Sequence, residues 1–322
     1  MRLSNRDYVQ FVIGFLQKKV LAMKKYLLTA LLLLSACGTS ANTVDTSTST
    51  STSTSTATTT QPPKPITVAA VGDISCSNSQ RASGNYLCND AQVADLIRSN
   101  NPDYFIPLGD LQYNTATYDL LTGIYDKTWG DLKDISLPVL GNHDYPADGF
   151  FQYFPNIPDA GYYTKTISEN WFVVVLNTND DCEIVSCDSS SEQYNWLIRT
   201  LDANQNRCAI VATHHPRFSS GVHGNGDFMK DVWQVLESRN VPLVLSGHDH
   251  NYERFNTSPV QFVVGTGGKE LRGIGSVKEE SAVALNDTSG ALVMTINGLN
   301  LEATFFGVDG AERDNWLVQC VK

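Results

Sequence analysis

From residue 66 onward, short apolar runs rich in β-branched residues alternate with stretches whose apolar positions recur every three to four residues. The runs at 67–74, 104–108, 172–177, 209–213 and 243–246 predict strands, and the segments 91–99, 117–132, 191–205 and 230–239 predict helices. Alternation of this kind predicts an α/β layered domain around a buried sheet. After Val260 the pattern changes to strands joined by short turns, at 261–264, 291–296, 301–306 and 316–320, which predicts an antiparallel or mixed sheet. The expected product is two sheets face to face with helices outside, built as one domain over 66–322.

The chain before residue 66 has a different grammar. Residues 1–36 are a signal region: Met23-Lys24-Lys25 opens a basic start, residues 26–34 are almost wholly apolar, and Leu34-Ser35-Ala36-Cys37 closes it. That apolar stretch is too short to span a bilayer, which takes about 20 residues. Met23 is the expected true start. Leu34-Ser35-Ala36-Cys37 resembles the lipobox of bacterial lipoproteins, which implies lipidation of Cys37. Residues 37–65 then form a tether in which fourteen of the fifteen residues 46–60 are Ser or Thr, followed by Gln61-Pro62-Pro63-Lys64-Pro65. With almost nothing apolar to bury, such a stretch cannot offset the entropy of ordering, and it is expected to be a flexible spacer. The expected location is therefore extracytoplasmic and membrane-anchored, on a periplasmic face or cell surface.

Composition narrows the function. The chain is 42% hydrophobic and 18% charged, too apolar for a disordered protein. Its net charge is −11, and outside residues 1–36 only 17 basic residues stand against 33 acidic ones. A body this acidic excludes nucleic-acid binding by the bulk surface and an anionic membrane face. Besides Cys37 there are six cysteines: Cys76, Cys88, Cys182, Cys187, Cys208 and Cys320. An even number in an exported protein favours disulfides, with fifteen pairings open, and no Cys-x-x-Cys spacing supports a zinc ribbon.

Five polar segments carry the candidate chemistry, four of them directly after a predicted strand and the third after the short run 137–140. They are Val71-Gly72-Asp73-Ile74-Ser75, Leu108-Gly109-Asp110-Leu111-Gln112-Tyr113, Gly141-Asn142-His143-Asp144, Ala212-Thr213-His214-His215-Pro216 and Gly247-His248-Asp249-His250-Asn251-Tyr252-Glu253-Arg254. Singly, a Gly-Asp pair is a turn and a His pair can be core. Together, carboxylate, amide and imidazole groups at strand ends are what one or two metal ions require.

This ordered set resembles the calcineurin-like metallophosphoesterases. The tyrosine of the second segment and His250-Asn251-Tyr252-Glu253-Arg254 are similar to the purple acid phosphatase branch. The resemblance implies an α-β-β-α sandwich of two mixed sheets flanked by helices, with a dinuclear metal site at the strand ends. It implies that Asp73, Asp110, Tyr113 and His250 hold one ion, and that Asp110, Asn142, His214 and His248 hold the other, with Asp110 bridging. His214 rather than His215 matches the family's ligand, because it stands two places before Pro216. The family's first motif is Asp-x-His, or Asp-x-Gly in the purple branch, whereas this chain has Asp73-Ile74-Ser75. Tyr113 would then supply the missing donor as a phenolate, and a hard anionic oxygen favours Fe(III), with Fe, Zn or Mn as the divalent partner.

The same resemblance implies that His143 and His223 serve phosphate and leaving group, with Asp144 placed either to hold His143 protonated or only to cap its turn. For the cysteines, Cys182–Cys187 encloses four residues and Cys76–Cys88 eleven, so both can be local staples, leaving Cys208 for Cys320. Similar proteins of the branch carry cysteines at matching places, which supports that map. The expected activity is hydrolysis of a small phosphorylated substrate by a metal-activated hydroxide, as an acid phosphatase-like monoesterase. A phosphodiesterase is the alternative within the class. A surface binding lipoprotein with a non-catalytic metal site is the alternative outside it.

Overall fold

The computed structural model of the chain describes residues 64–77 and 88–321. The signal region, Cys37 and the tether up to residue 63 lie outside the described residues. Among the described residues, no helix is long and apolar enough to cross a membrane.

Strands β1 (Ile66–Val71) and β2 (Tyr104–Pro107) pair in parallel, and β1 pairs on its other side with β10 (Gly290–Asn297) in antiparallel register, Ala69 opposite Val293. Hairpin partners β11 (Asn300–Gly307) and β12 (Glu312–Gln319) extend this first sheet to the order β12-β11-β10-β1-β2. The second sheet contains β3 (Tyr163–Thr166), β4 (Trp171–Val175), β5 (Cys208–Ala212), β6 (Leu243–Ser246), β7 (Tyr252–Phe255), β8 (Val260–Val264) and β9 (Ser281–Leu285). Its order is β3-β4-β5-β6-β8-β7-β9, with β4, β5, β6 and β8 parallel.

Every residue of β4 and β5 is buried, because the second sheet is covered on both faces. Trp171, Val173, Val175, Ile210 and Ala212 face the first sheet, in one apolar cluster with Leu292, Met294 and Phe305. Their neighbours Phe172, Val174, Ala209 and Val211 point the other way, against Leu197 and Leu201 of one helix and Val232 and Leu236 of another. Among the helices, α1 (Asp90–Ser99) packs on β10, while α2 (Glu192–Ala203) and α3 (Lys230–Ser238) lie on the far face of the second sheet. The start of α2 is fixed by Ser191, whose Oγ accepts the Tyr194 N–H. The layering is therefore helix, sheet, sheet, helix.

Contacts between the sheets are specific as well as apolar. The rings of Tyr252 and Phe305 stack at 3.9 Å, and Arg254 donates twice to Asp314, at 2.7 and 3.0 Å. Disulfides join Cys76 to Cys88, Cys182 to Cys187 and Cys208 to Cys320. The last links β5 of one sheet to the end of β12 in the other.

The structure differs from the periodicity in three places. The strand at 260–264 does not start a separate antiparallel sheet: β8 lies parallel to β6 in the second sheet, while β10–β12 complete the first. Segment 117–132 is not one helix but a chain of turns, with a π-helical turn at Leu121–Tyr125 and a 3-10 stretch at Gly130–Ile135, wound around the stacked rings of Tyr125 and Trp129. Strands β3, β7 and β9 were not in the pattern, because β3 and β9 are short, partly exposed edge strands and β7 is made of the polar sequence Tyr-Glu-Arg-Phe.

The Cys208–Cys320 bridge spans 112 residues of sequence, so it restricts the unfolded chain most. Replacing both cysteines by serine is expected to cost about 4–5 kcal/mol in the chain-entropy account, read as a lower urea midpoint. Replacing Cys182 and Cys187, five apart in sequence, should cost clearly less.

Candidate metal centre

Beyond their strands the first two loops run on side by side. The backbone N–H groups of Asp73, Ile74 and Ser75 donate to the carbonyls of Gly109, Asp110 and Leu111 at 3.0, 2.9 and 3.0 Å, and Tyr113 N–H returns to Ser75 at 2.8 Å. The 137–140 run forms no regular strand, but Leu137 and Val139 donate to Phe105 and Pro107 and carry Asn142 to the same edge. From the second sheet, β5 delivers His214 and β6 delivers His248, with Gly247 N–H bonded to the His214 carbonyl at 2.9 Å.

Crowding sets the residue types in between. A Cβ on Gly109 would lie 2.5 Å from His214 Nδ1, and one on Gly141 would lie 2.2 Å from Asp110 N. Asp73, Asp110 and His248 themselves adopt left-handed backbone, at φ 60°, 52° and 71°, a conformation that non-glycine residues keep only when their surroundings impose it. Asp144 imposes much of it. Its buried carboxylate accepts the N–H groups of Gly141, Asp110 and Leu111 at 2.7, 2.9 and 3.0 Å, tying the second loop to the third.

Two groups of donor atoms result. In the first, Tyr113 Oη lies 2.8 Å from Asp73 Oδ1, 2.8 Å from Asp110 Oδ2 and 3.1 Å from His250 Nε2. In the second, Asn142 Oδ1 lies 3.1 Å from both His214 Nε2 and His248 Nδ1, and His214 Nε2 is 3.4 Å from Asp110 Oδ1. The two oxygens of Asp110 thus belong to different groups. All seven side chains that the sequence singled out as metal ligands come together here.

The donor chemistry fits a cation. His214 Nδ1 donates to the Leu108 carbonyl at 2.7 Å and His250 Nδ1 donates to that of Glu270 at 2.8 Å, since a carbonyl can only accept. Each ring therefore turns a lone pair inward. Tyr113 has one proton for three acceptors, and His214, His248 and Asn142 face one another within 3.1–3.3 Å. An excess of buried acceptors is what a bound cation satisfies.

A calcineurin-like phosphoesterase family model matches residues 66–252, more than half of the chain. The chain belongs to the calcineurin-like phosphoesterase family. It falls in the purple acid phosphatase-like branch and is a phosphoester hydrolase. Purple acid phosphatase 3 of Arabidopsis thaliana is 26% identical over 273 residues, covering 74% of each chain. Among solved structures, purple acid phosphatase PPD1 from yellow lupin (Lupinus luteus) seeds matches with a TM-score of 0.62 at 18% identity, over 80% of this chain and 54% of that one. GAP50, the anchor in the inner membrane complex of Plasmodium, matches with a TM-score of 0.63 at 16% identity, over 80% and 90%. At these identities the two structures show a shared fold.

Electrostatics in this phosphoesterase follow from the crowding. Burial, then the charges of Asp110 and Asp73, push the Tyr113 hydroxyl well above its ordinary range. Burial opposes protonation of His214, but Asp110 and Asp73 outweigh it and raise that imidazole. His248 is driven far down by burial and by the neighbouring His214, His215 and His223. Asp144 is pushed up to about 7 by burial and by Asp110, against the pull of its backbone hydrogen bonds.

The remaining histidines flank the centre. The His143 ring lies 4.4 Å from that of Tyr113 and fixes its Nδ1 on the Asn114 carbonyl at 2.6 Å. Asp144 bonds backbone rather than the His143 ring, so its part is to hold the loop. His223 Nε2 receives a hydrogen bond from Arg272 Nη1 at 2.6 Å, and that nitrogen is an acceptor in this arrangement rather than a proton source. His215 is buried, bonded through Nδ1 to Thr178 Oγ1 at 3.0 Å, with its ring 4.3 Å from His248. Motif spacing gave no sign of Arg272 or of the Glu270 carbonyl, since neither belongs to a recognisable pattern.

Because Asp110 serves both groups, Asp110→Asn should strip both ions from the protein, whereas His250→Ala should lose one. Even an outer partner of a ligand is worth about 10–100-fold in metal affinity, and the shared carboxylate should exceed that. Metal analysis after dialysis against a weak chelator reads the stoichiometry directly.

Proposed function

We propose that this phosphoesterase hydrolyses phosphate monoesters outside the cytoplasm, held to a membrane by a lipid on Cys37, and that its centre takes Fe(III) with a divalent Fe, Zn or Mn. The observation that carries the two-ion part of this reading is the division of the Asp110 carboxylate between two donor groups, only one of which contains a phenol. The lipid and the location rest on Leu34-Ser35-Ala36-Cys37 and the tether. Asp73, Asp110, Tyr113 and His250 are the harder set and suit the trivalent ion; Asp110, Asn142, His214 and His248 suit the divalent one. When bound, such a pair draws phosphate oxygens into an otherwise acidic protein and lowers the pKa of water for in-line attack at phosphorus.

The chain's own residues do the rest. Tyr113, wedged between Asp73 and Asp110, fixes the spacing of the first group, and the Leu108 and Glu270 carbonyls hold two imidazoles in the tautomer that presents a lone pair. His143 spends Nδ1 on Asn114, which leaves Nε2 to take up a proton and give it to the leaving alkoxide. His223 accepts from Arg272 through Nε2, so that nitrogen is not the one that supplies the proton.

Diester hydrolysis remains the alternative substrate class, resolved by assaying chromogenic monoester and diester side by side, with and without chelator. A purely binding role has a relative in fold in the Plasmodium anchor, but the complete donor set favours catalysis. A metal-loaded protein that hydrolyses neither ester would overturn the enzymatic proposal.

Three outcomes test the details. His143→Ala should lose about 10²–10⁴ in kcat with metals retained, and less for esters whose leaving group needs no proton. Tyr113→Phe should abolish phenolate-to-iron absorption in the visible; a colourless, active wild-type enzyme would overturn the iron assignment. Cys37→Ala should release the protein from the membrane fraction and remove the lipid mass from its N-terminal peptide.

A further inference from the structure

The rim beside the donor groups holds a guanidinium that the metal centre does not use. Arg272 lies in the segment between β8 and β9, where its N–H donates to the His250 carbonyl at 2.9 Å and its carbonyl accepts Asn286 Nδ2 at 3.1 Å. The same segment is tied to the loop after His214: Gly275 N–H bonds the Ser220 carbonyl at 2.7 Å, and Lys278 N–H bonds Ser220 Oγ at 2.9 Å. That loop is in turn held by Asp249, which accepts His223 N–H at 3.0 Å. Arg272 is thus built into a braced rim.

Its side chain reaches across to His223, with Nη1 2.6 Å from Nε2. Arginine has no acceptor, so the imidazole accepts. The His223 ring lies 4.2 Å from the ring of His248, whose Nδ1 faces Asn142 and His214. The His223 ring therefore stands between the guanidinium and His248 of the second donor group.

Five other arginines of the described residues are neutralised. Arg98, Arg217, Arg239, Arg254 and Arg313 each meet a carboxylate within 2.5–2.8 Å. Among the described residues Arg199 and Arg207 meet none, Arg207 bonding the Glu169 carbonyl and Asn204 instead. Arg272 likewise meets none among them, but it borders the donor groups, and its one side-chain hydrogen bond uses one of five donors. The nearby Lys269 ammonium faces Glu270 at 2.7 Å. In a body with 17 basic residues against 33 acidic ones outside residues 1–36, a guanidinium without a carboxylate beside the centre is a place for an anion.

We propose that Arg272 is a specificity residue that holds a second phosphate of the substrate, so that the preferred substrates carry one phosphate beyond the one that is cleaved. The scissile phosphate belongs over the donor groups, and Arg272 stands one imidazole, His223, away from His248 of those groups. Its planar fork suits two oxygens of a non-transferred phosphate. This proposal rests on the phosphoesterase reading above.

The test compares ADP, whose terminal phosphate is transferred, with 4-nitrophenyl phosphate, using metal-loaded wild type, Arg272→Ala and Arg272→Lys. Arg272→Ala should lower the ADP to 4-nitrophenyl phosphate ratio of kcat/KM by about 10–100-fold, chiefly through KM for ADP, and Arg272→Lys should restore part of it. Calorimetric binding of methylenebisphosphonate against methylphosphonate should show the same loss without turnover. An unchanged ratio in both measurements overturns the proposal, as does an equal loss for both substrates, which would mean that Arg272 acts only by positioning His223. If wild type hydrolyses neither substrate, the phosphoesterase reading fails, and the two phosphonate affinities still decide the role of Arg272.

Discussion

Lone pairs gathered between two sheets are the constraint that the rest of the structure serves. Asp73, Asp110, Tyr113 and Asn142 come from the edge of one sheet, and His214, His248 and His250 come from the other. They crowd at separations of 2.8–3.4 Å with fewer protons than acceptors, so burying them costs desolvation that their mutual hydrogen bonds only partly recover. The apolar contact between the sheets, the Cys208–Cys320 bridge and the Arg254–Asp314 pair hold the two sheets together against that cost. At the edge itself, Asp144 binds three backbone N–H groups, including that of Asp110, which it helps to hold in its left-handed conformation.

The two flanks of the centre differ in chemistry. On the Tyr113 side, His143 stacks near the phenol with one nitrogen fixed and one open, an arrangement for handling a proton. On the His248 side, His223 accepts from Arg272, whose guanidinium supplies the positive charge of that flank. Both lie in a body of strongly acidic composition, so local cations rather than overall charge have to attract a phosphorylated substrate. Specificity then resides in rim segments, where residues between β8 and β9 meet the loop after His214.

Much of the site was legible in the chain because its donors sit next to strand ends. A strand fixes the direction of its last residues, so an apolar run followed by Gly-Asp or Gly-His already says that the polar group lies at a sheet edge. Four strand-flanking segments and the loop at Gly141-Asn142 could therefore be expected to converge, and the α/β layering followed from period alone. Short edge strands such as β3 and β9 carry no such signal, because few of their side chains are buried. The helix expected at 117–132 breaks into turns because it packs around Tyr125 and Trp129 rather than along one face.

What the sequence determined by itself was the list of donors, the even set of six cysteines after Cys37 and the acidic balance, all properties of residue type and local spacing. Only the tertiary structure decided which sheet each late strand joins, since β8 and β10 have similar patterns and differ in the partners that close packing leaves open. It alone also decided the direction of each hydrogen bond at the rim. Of the two parts left open for Asp144, holding His143 or capping the turn, the structure shows the cap, through Gly141, together with a tie to Asp110 and Leu111. His223 Nε2 accepts from Arg272, 49 residues on, rather than standing free. Such contacts depend on where segments 20 to 100 residues apart come to rest, and no spacing along the chain records that.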